Sequence, residues 1–429
     1  MEYKMKDSGI TWIGIIPEHW EASKIGQLYD NRYVRVSDKD FEPLSVTMQG
    51  ILPQLETAAK TDDGDNRKLV RKGDFAINSR SDRRGSCGIS PQDGSVSLIN
   101  LILAPRTSMN ADYYNWLFHT TLFADEFYSW GHGIVADLWT TRWQEMKNIA
   151  IPVPPIAEQE RIAAYLDGKC GEIDELIDAE QQMISDLESY RQAVITETVT
   201  HGLNPDVQNK QSTIQGIKDI PSNWNEVNLL KVIYLRARLG WRGLKAEEYV
   251  DEGYPFLSAF NIVNNQLVWE NLNFINQLRY DESPEIKLSL HDILIVKDGA
   301  GIGKCARVEN MPLGESTVNS SLGVITVSET LYYSYLYYFF LSTPFQDNVL
   351  FLKNGMGVPH LTQENLKSVR IPLPPVDEQK TIANFLDSKC SEIDGLIKVK
   401  QEKIETLKQY RQSLIFEAVT GKTHIIENL

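Results

Sequence analysis

Cysteine is scarce in this chain, with four residues (Cys87, Cys170, Cys305 and Cys390) in 429. None forms a CxxC pair or has a histidine at metal-ligand spacing, which excludes a disulfide-stapled scaffold and the common zinc modules. Buried small apolar residues in a reducing compartment are the reading that remains. Also lacking is any apolar run of eighteen residues, and the start MEYKMKDS is no signal peptide, so a cytoplasmic protein without a membrane segment is expected. Catalytic signatures are missing too. There is no Asn-Pro-Pro-Tyr or Asp-Pro-Pro-Tyr box for amino-group methylation of a base, no HExxH and no GxSxG, and the seven histidines, His119, His132, His291 and His360 among them, stand singly. The loop Asp298 to Val308, DGAGIGKCARV, fails as a phosphate-binding Walker A loop, with Asp298 where glycine is required and Cys305 where serine or threonine is required. Positive charge is in deficit, at a net −15, which argues against a uniformly basic surface but leaves room for a local one.

What the chain has instead is a duplication. The stretch Ile151 to Gly202 returns from Ile371, and Ile151 and Ile371, Cys170 and Cys390, Tyr190 and Tyr410, Glu197 and Glu417 all stand 220 residues apart. Each copy opens on a Pro-Pro step, Pro154-Pro155 or Pro374-Pro375, which suits a helix start just after it. Carboxylates follow in the first turn (Glu158; Asp377 and Glu378), and a glycine able to take the left-handed cap conformation, Gly202 or Gly421, closes each copy.

Between these signals the apolar residues follow two seven-residue tracks. In the first copy they are Leu166, Ile173, Glu180, Leu187, Val194 and Cys170, Ile177, Ile184, Arg191. In the second they are Leu386, Ile393, Lys400, Leu407, Leu414 and Cys390, Ile397, Ile404, Arg411. Interleaved tracks of this kind make a narrow seam that one isolated helix would expose to water. The two helices are therefore expected to pair, antiparallel because a globular segment separates them. Glu180 and Lys400 interrupt the matching track, either facing each other or standing as solvated charges on the flanks.

The globular segments repeat at their ends. SGITWIGIIPEHW, ending at Trp20, returns as IQGIKDIPSNW, ending at Trp224, here 204 residues apart. Between the ends the likeness fades. The runs PLSV, DFAINS, YPFLSAF, DILIVKD and SLGVITV predict strands, while DYYNWLF and LYYSYLYYFF predict core helices, since aromatics at helical spacing without interleaved cations pack rather than stack on bases. The fold class is α+β: two mixed α/β domains in tandem, each followed by a long helix.

Basic residues concentrate in the middles. Arg67, Lys68, Arg71, Lys72, Arg80, Arg83 and Arg84 crowd one part of the first segment, and Lys231, Arg236, Arg238, Arg242 and Lys245 surround Trp241 in the second. Arginine's planar fork grips phosphate or the O6/N7 edge of guanine, so Arg80, Arg83 and Arg84 in a Gly/Ser loop, with Arg238, Trp241, Arg242, Lys245 and Lys304, are the candidate DNA-contacting residues. The bland alternative for each cluster is a solvated face.

IPxPPxxEQ followed by IxxxLDxKCxEID and YRQ, occurring twice behind two divergent domains, resembles the specificity subunit of a type I restriction-modification system. The resemblance implies target-recognition domains over residues 1–150 and 204–370, and helical regions over 151–203 and 371–429. It also implies that this chain is non-catalytic and holds no cofactor, each domain reading one half of a bipartite site in double-stranded DNA. Two modification subunits would dock on the helices and methylate adenine N6 with S-adenosylmethionine, and two restriction subunits would translocate and cut DNA using ATP with Mg. The helices would then fix the gap: Cys170 to Thr200 spans roughly 45 Å, on the order of thirteen base pairs of B-DNA. A restriction-enzyme fragment acting alone would need a catalytic motif, and a coiled-coil scaffold of two protein-binding domains would need no DNA.

Overall fold

The computed structural model describes residues 4–425 apart from 55–63, 81–82, 134–138, 238–243, 245, 300, 354–360, 363–364 and 367–368. The chain forms two compact units, one of residues 1–181 with 401–429 and the other of residues 182–400. Each unit holds one globular segment with part of both long helices, which run over Ile156–His201 and Val376–Val419.

In the first unit a four-stranded antiparallel sheet has the order Cys87–Ile89, Phe75–Asn78, Asn100–Pro105, Tyr29–Asn31. A three-stranded sheet, Gly94–Val96, Arg67–Val70, Arg35–Val36, and the hairpin Leu44–Thr47 with Gly50–Pro53 complete its β part. Glu21–Lys24 pairs with Ala150–Val153, tying the segment's beginning to its end. Helices Ala111–Phe118 and Thr121–Ser129, N-capped by Asn110 and Thr120, bury Tyr113, Tyr114, Phe118, Phe123 and Phe127. Phe118 packs on Phe75 and Phe123 with ring centroids 4.6 Å apart in each pair, so the aromatic run is a core helix.

The second unit repeats this order: Cys305–Arg307, Ile293–Val296, Leu322–Val327, Ile233–Arg236. Its three-stranded sheet places Tyr254–Leu257 between Asn273–Ile275 and a parallel Thr317–Val318. Asn225–Asn228 closes on Arg370–Leu373 as Glu21–Lys24 does on Ala150–Val153. The aromatic helix is Tyr333–Leu341, buried from Ser334 to Phe340.

The long helices pair antiparallel within each unit. In the first, Asp174 meets Arg411 at 2.9 Å and Glu180 meets Lys403 at 2.6 Å. In the second, Lys400 Nζ rests 3.3 Å from the Met183 sulfur and Arg191 pairs with Asp394. Glu180 is only 3% exposed, so it is no solvated flank charge; Lys403, three residues beyond the expected Lys400, brings it an ammonium. Along the tracks Leu166, Cys170, Ile173, Ile177, Leu386, Ile393, Ile397, Ile404 and Leu414 are buried, whereas Ile184, Leu187, Val194 and Leu407 are half-buried.

Each helix stops for a physical reason. Gly202 and Gly421 take φ of 77° and 70°, a region that costs other residues strain. A Cβ on Gly202 would also come within 3.0 Å of Trp224. Among the described residues no helix is long and apolar enough to cross a membrane.

Candidate nucleic-acid interface

The strand order brings the two motif-bearing loops into equivalence. Residues 79–86, with the arginines, join Phe75–Asn78 to Cys87–Ile89; residues 297–304, with the glycines, join Ile293–Val296 to Cys305–Arg307. Asp74 precedes the first hairpin as Asp292 precedes the second, and Cys87 and Cys305 follow each aspartate by thirteen residues. Both cysteines are buried, and burial raises their thiols far above the ordinary value.

Each aspartate is buried and anchors its hairpin by pairing with a partly buried arginine. Arg32 closes on Asp74 with contacts of 2.6 and 3.1 Å. Arg236 meets Asp292 at 2.6 Å and also donates to the carbonyl of Lys287 and to Thr326. Arg236, counted from sequence among the recognising cations, is thus a structural residue. So are Arg67 and Lys68: Arg67 donates to Ser95 Oγ and O at 2.9 Å each, and Lys68 donates to the Asn100 carbonyl at 2.7 Å, its ammonium pKa lowered by burial. Arg71 pairs with Asp93 at 2.5 Å.

The loop arginines differ in what they touch. Arg84 is paired with Asp125, and the Arg83 carbonyl accepts the Tyr128 hydroxyl at 3.4 Å. Arg80 is exposed, its backbone bridged to Thr140, and among the described residues its guanidinium makes no hydrogen bond or ion pair. Arg238, Trp241, Arg242 and Lys245 lie outside the described residues.

Lys304 is exposed at the lip of a cleft of about 710 Å³ lined by Asn264, Asn265, Arg307, Arg191, Asp387 and Asp394 among others. The first unit has a matching cleft of about 1070 Å³ beside Met48, Gly50, Trp116, His119, Arg411 and Phe416. In both, an arginine of the YRQ motif (Arg191 or Arg411) stands on the wall. Among the described residues no three histidine, cysteine or acidic side chains cluster to hold a metal ion.

A family profile described as the type I restriction modification DNA specificity domain matches residues 221–408. The chain is 24% identical over 424 residues to the type I restriction enzyme MjaVIII specificity subunit of Methanocaldococcus jannaschii, covering 96% of this chain and 94% of that one. The chain is thus similar, over nearly its whole length, to type I specificity subunits. The EcoKI specificity subunit of Escherichia coli K12 is 26% identical over 208 residues, 47% of this chain and 44% of that one. In fold, a chain from a study of complex assembly and conformational transition of the type I R-M system superposes with a TM-score of 0.74 at 17% identity, over 95% of this chain and 99% of that one. The HsdS subunit from Thermoanaerobacter tengcongensis gives 0.53 at 18% identity, over 95% and 98%. Its tandem mixed domains, each followed by a long helix, share the fold of these two solved chains.

The spacing shared by Asp74 with Cys87 and Asp292 with Cys305 was visible in the sequence and would have aligned the two hairpins. No sequence signal distinguishes Arg80 from Arg84, because Asp125 lies forty-one residues away along the chain.

Proposed function

We propose that this chain is the specificity subunit of a type I restriction-modification system, each globular domain reading one half of a bipartite site in double-stranded DNA and the paired helices setting the gap and docking two modification subunits. The observation that carries this reading is the repeated frame with unlike loops. The same strand order presents Arg80 and its neighbours in one unit and Lys297 to Lys304 in the other. A common frame holding different recognition loops fits two readers of different sequences.

Docking is supported by the helix surface. Leu176, Met183 and Tyr190, seven residues apart, are exposed on the first long helix, as are Leu396, Val399 and Tyr410 on the second. Apolar stripes of this kind fit the packing of further helices. The partners would supply the chemistry: modification subunits using S-adenosylmethionine to methylate adenine N6, and two restriction subunits using ATP with Mg. This chain would bind no cofactor and would work in the cytoplasm.

Co-expression with its modification subunit in a methylation-free host, followed by genome-wide mapping of N6-methyladenine, tests the proposal. A two-part motif with a fixed gap, lost without this chain, supports it. A stable complex that yields no motif overturns it. Four residues inserted into one long helix should lengthen the gap and leave both half-sites unchanged, and replacing residues 21–148 with those of another family member should change one half-site alone.

A further inference from the structure

We propose that Phe260 is a base-contacting side chain of the second domain, an inference that rests on the DNA-recognition reading above. Its exposure is 92%, the highest of any large apolar side chain among the described residues. Left in water, a phenylalanine forgoes the stabilisation that burial provides, and an exposed aromatic on a fixed support fits a contact made with a partner.

The support is fixed. The strand Tyr254–Leu257 gives way to a 3-10 turn, Ala259–Asn261, with Phe260 at its crest. Asn261 is buried; its Oδ1 accepts the Ser258 N–H at 3.0 Å and its Nδ2 donates to the Glu270 carbonyl at 3.2 Å. The Ala259 N–H donates to Ser321 Oγ at 3.3 Å, and Ser321 is held in turn by Asn319 Oδ1. With both sides of the turn tied down, the ring is displayed without the ordering cost of a loose loop.

A cation is tied to the same serine. The Lys297 N–H donates to the Ser321 carbonyl at 2.8 Å. Its ammonium is half-buried and makes no hydrogen bond or ion pair among the described residues; burial lowers its pKa. An aromatic ring with a poorly solvated ammonium on one support matches a nucleotide, which offers a base face to the ring and a phosphate to the cation.

Among the described residues the first domain has no counterpart to this turn. There Leu44–Thr47 passes directly into its hairpin partner Gly50–Pro53, while in the second domain the extra turn precedes the short hairpin Ile262–Val263 with Gln266–Leu267. The aromatic therefore stands where the two domains differ, as a side chain specific to one half-site would.

The test uses the complex of the full chain with its modification subunit and duplexes carrying the mapped site, comparing wild type, F260A and F260W by fluorescence anisotropy and methylation mapping. F260A should bind about 10- to 100-fold more weakly and relax only the half-site of the second domain, while F260W stays within about threefold of wild type. F260A with wild-type affinity and an unchanged motif overturns the inference and leaves the DNA reading intact. F260A that fails to assemble with the modification subunit makes Phe260 a protein contact and also overturns it. A wild-type complex without sequence-specific duplex binding overturns the DNA reading, and Phe260 with it.

Discussion

Trp224 donates its indole Nε1–H to the Glu378 carboxylate at 3.0 Å, and Trp20 donates to Glu158 in the same way at 2.9 Å. Each bond ties the opening signature of a globular segment to the first turn of the helix that follows it. The two tryptophans are among the largest fully buried side chains, so each indole needs that acceptor. Trp224→Phe should cost about 1–3 kcal/mol, through a carboxylate deprived of its donor and a small cavity. Denaturant unfolding checks this, and Trp20→Phe should act alike; an unshifted midpoint in both would show the bonds to be dispensable.

The Glu180–Lys403 pair makes an asymmetric prediction. Glu180 is buried while the Lys403 side chain is about half exposed. Lys403→Ala withdraws a cation from a buried carboxylate and should destabilise by about 1–3 kcal/mol, discounted for that exposure. Glu180→Leu removes the buried charge itself and should be neutral or stabilising in thermal unfolding. Equal losses from both would show that attraction outweighs desolvation here.

Arg80 and Arg84 differ in how free they are to meet DNA. Arg84 is held by Asp125, and Arg80 has no such partner among the described residues. Arg80→Ala should weaken duplex binding by the assembled complex and reduce the slope of log K against log salt by about 1. Arg84→Ala should change that slope less. The reverse ranking in a salt titration would place the contact on Arg84.

Cys390 gives a pH dependence. Burial pushes its thiol up to about 11, with Arg191 opposing, from an ordinary 9.0. Between those values the folded chain holds the proton that the unfolded chain has lost. Its contribution to stability is therefore intact below pH 9 and falls as pH rises toward 11. Native-state alkylation of Cys390 should be slow at pH 8 and rise about tenfold per pH unit toward 11. A rate already at its plateau by pH 9 would refute the shift.

The long helices were legible because three independent signals agree on each: a Pro-Pro entry, a seven-residue apolar period and a closing glycine. The strand runs were legible for a similar reason, since DFAINS and DILIVKD are short, apolar and bounded by turn residues. YPFLSAF read as one strand, but pairing ends at Leu257, and the shift to a turn depends on the Asn261 amide reaching the Val268 and Glu270 carbonyls beyond the next short hairpin. The fate of single cations was not legible at all. Arg67, Lys68 and Arg236 are basic like their neighbours, and only partners that are distant in sequence decide that they are held within the fold.

The make-up of the first unit bears on how the protein comes off the ribosome. That unit is completed by residues 401–429, whose Val419 carbonyl accepts the Tyr113 hydroxyl at 2.8 Å and whose Lys422 ammonium donates to the Ile13 carbonyl at 3.0 Å. More than two hundred residues must be translated after the Gln181 codon before those contacts exist. The second unit is continuous in sequence and faces no such delay. Nascent chains should therefore acquire protease resistance in the order opposite to synthesis, with the segment made first waiting longest for its last strip of helix.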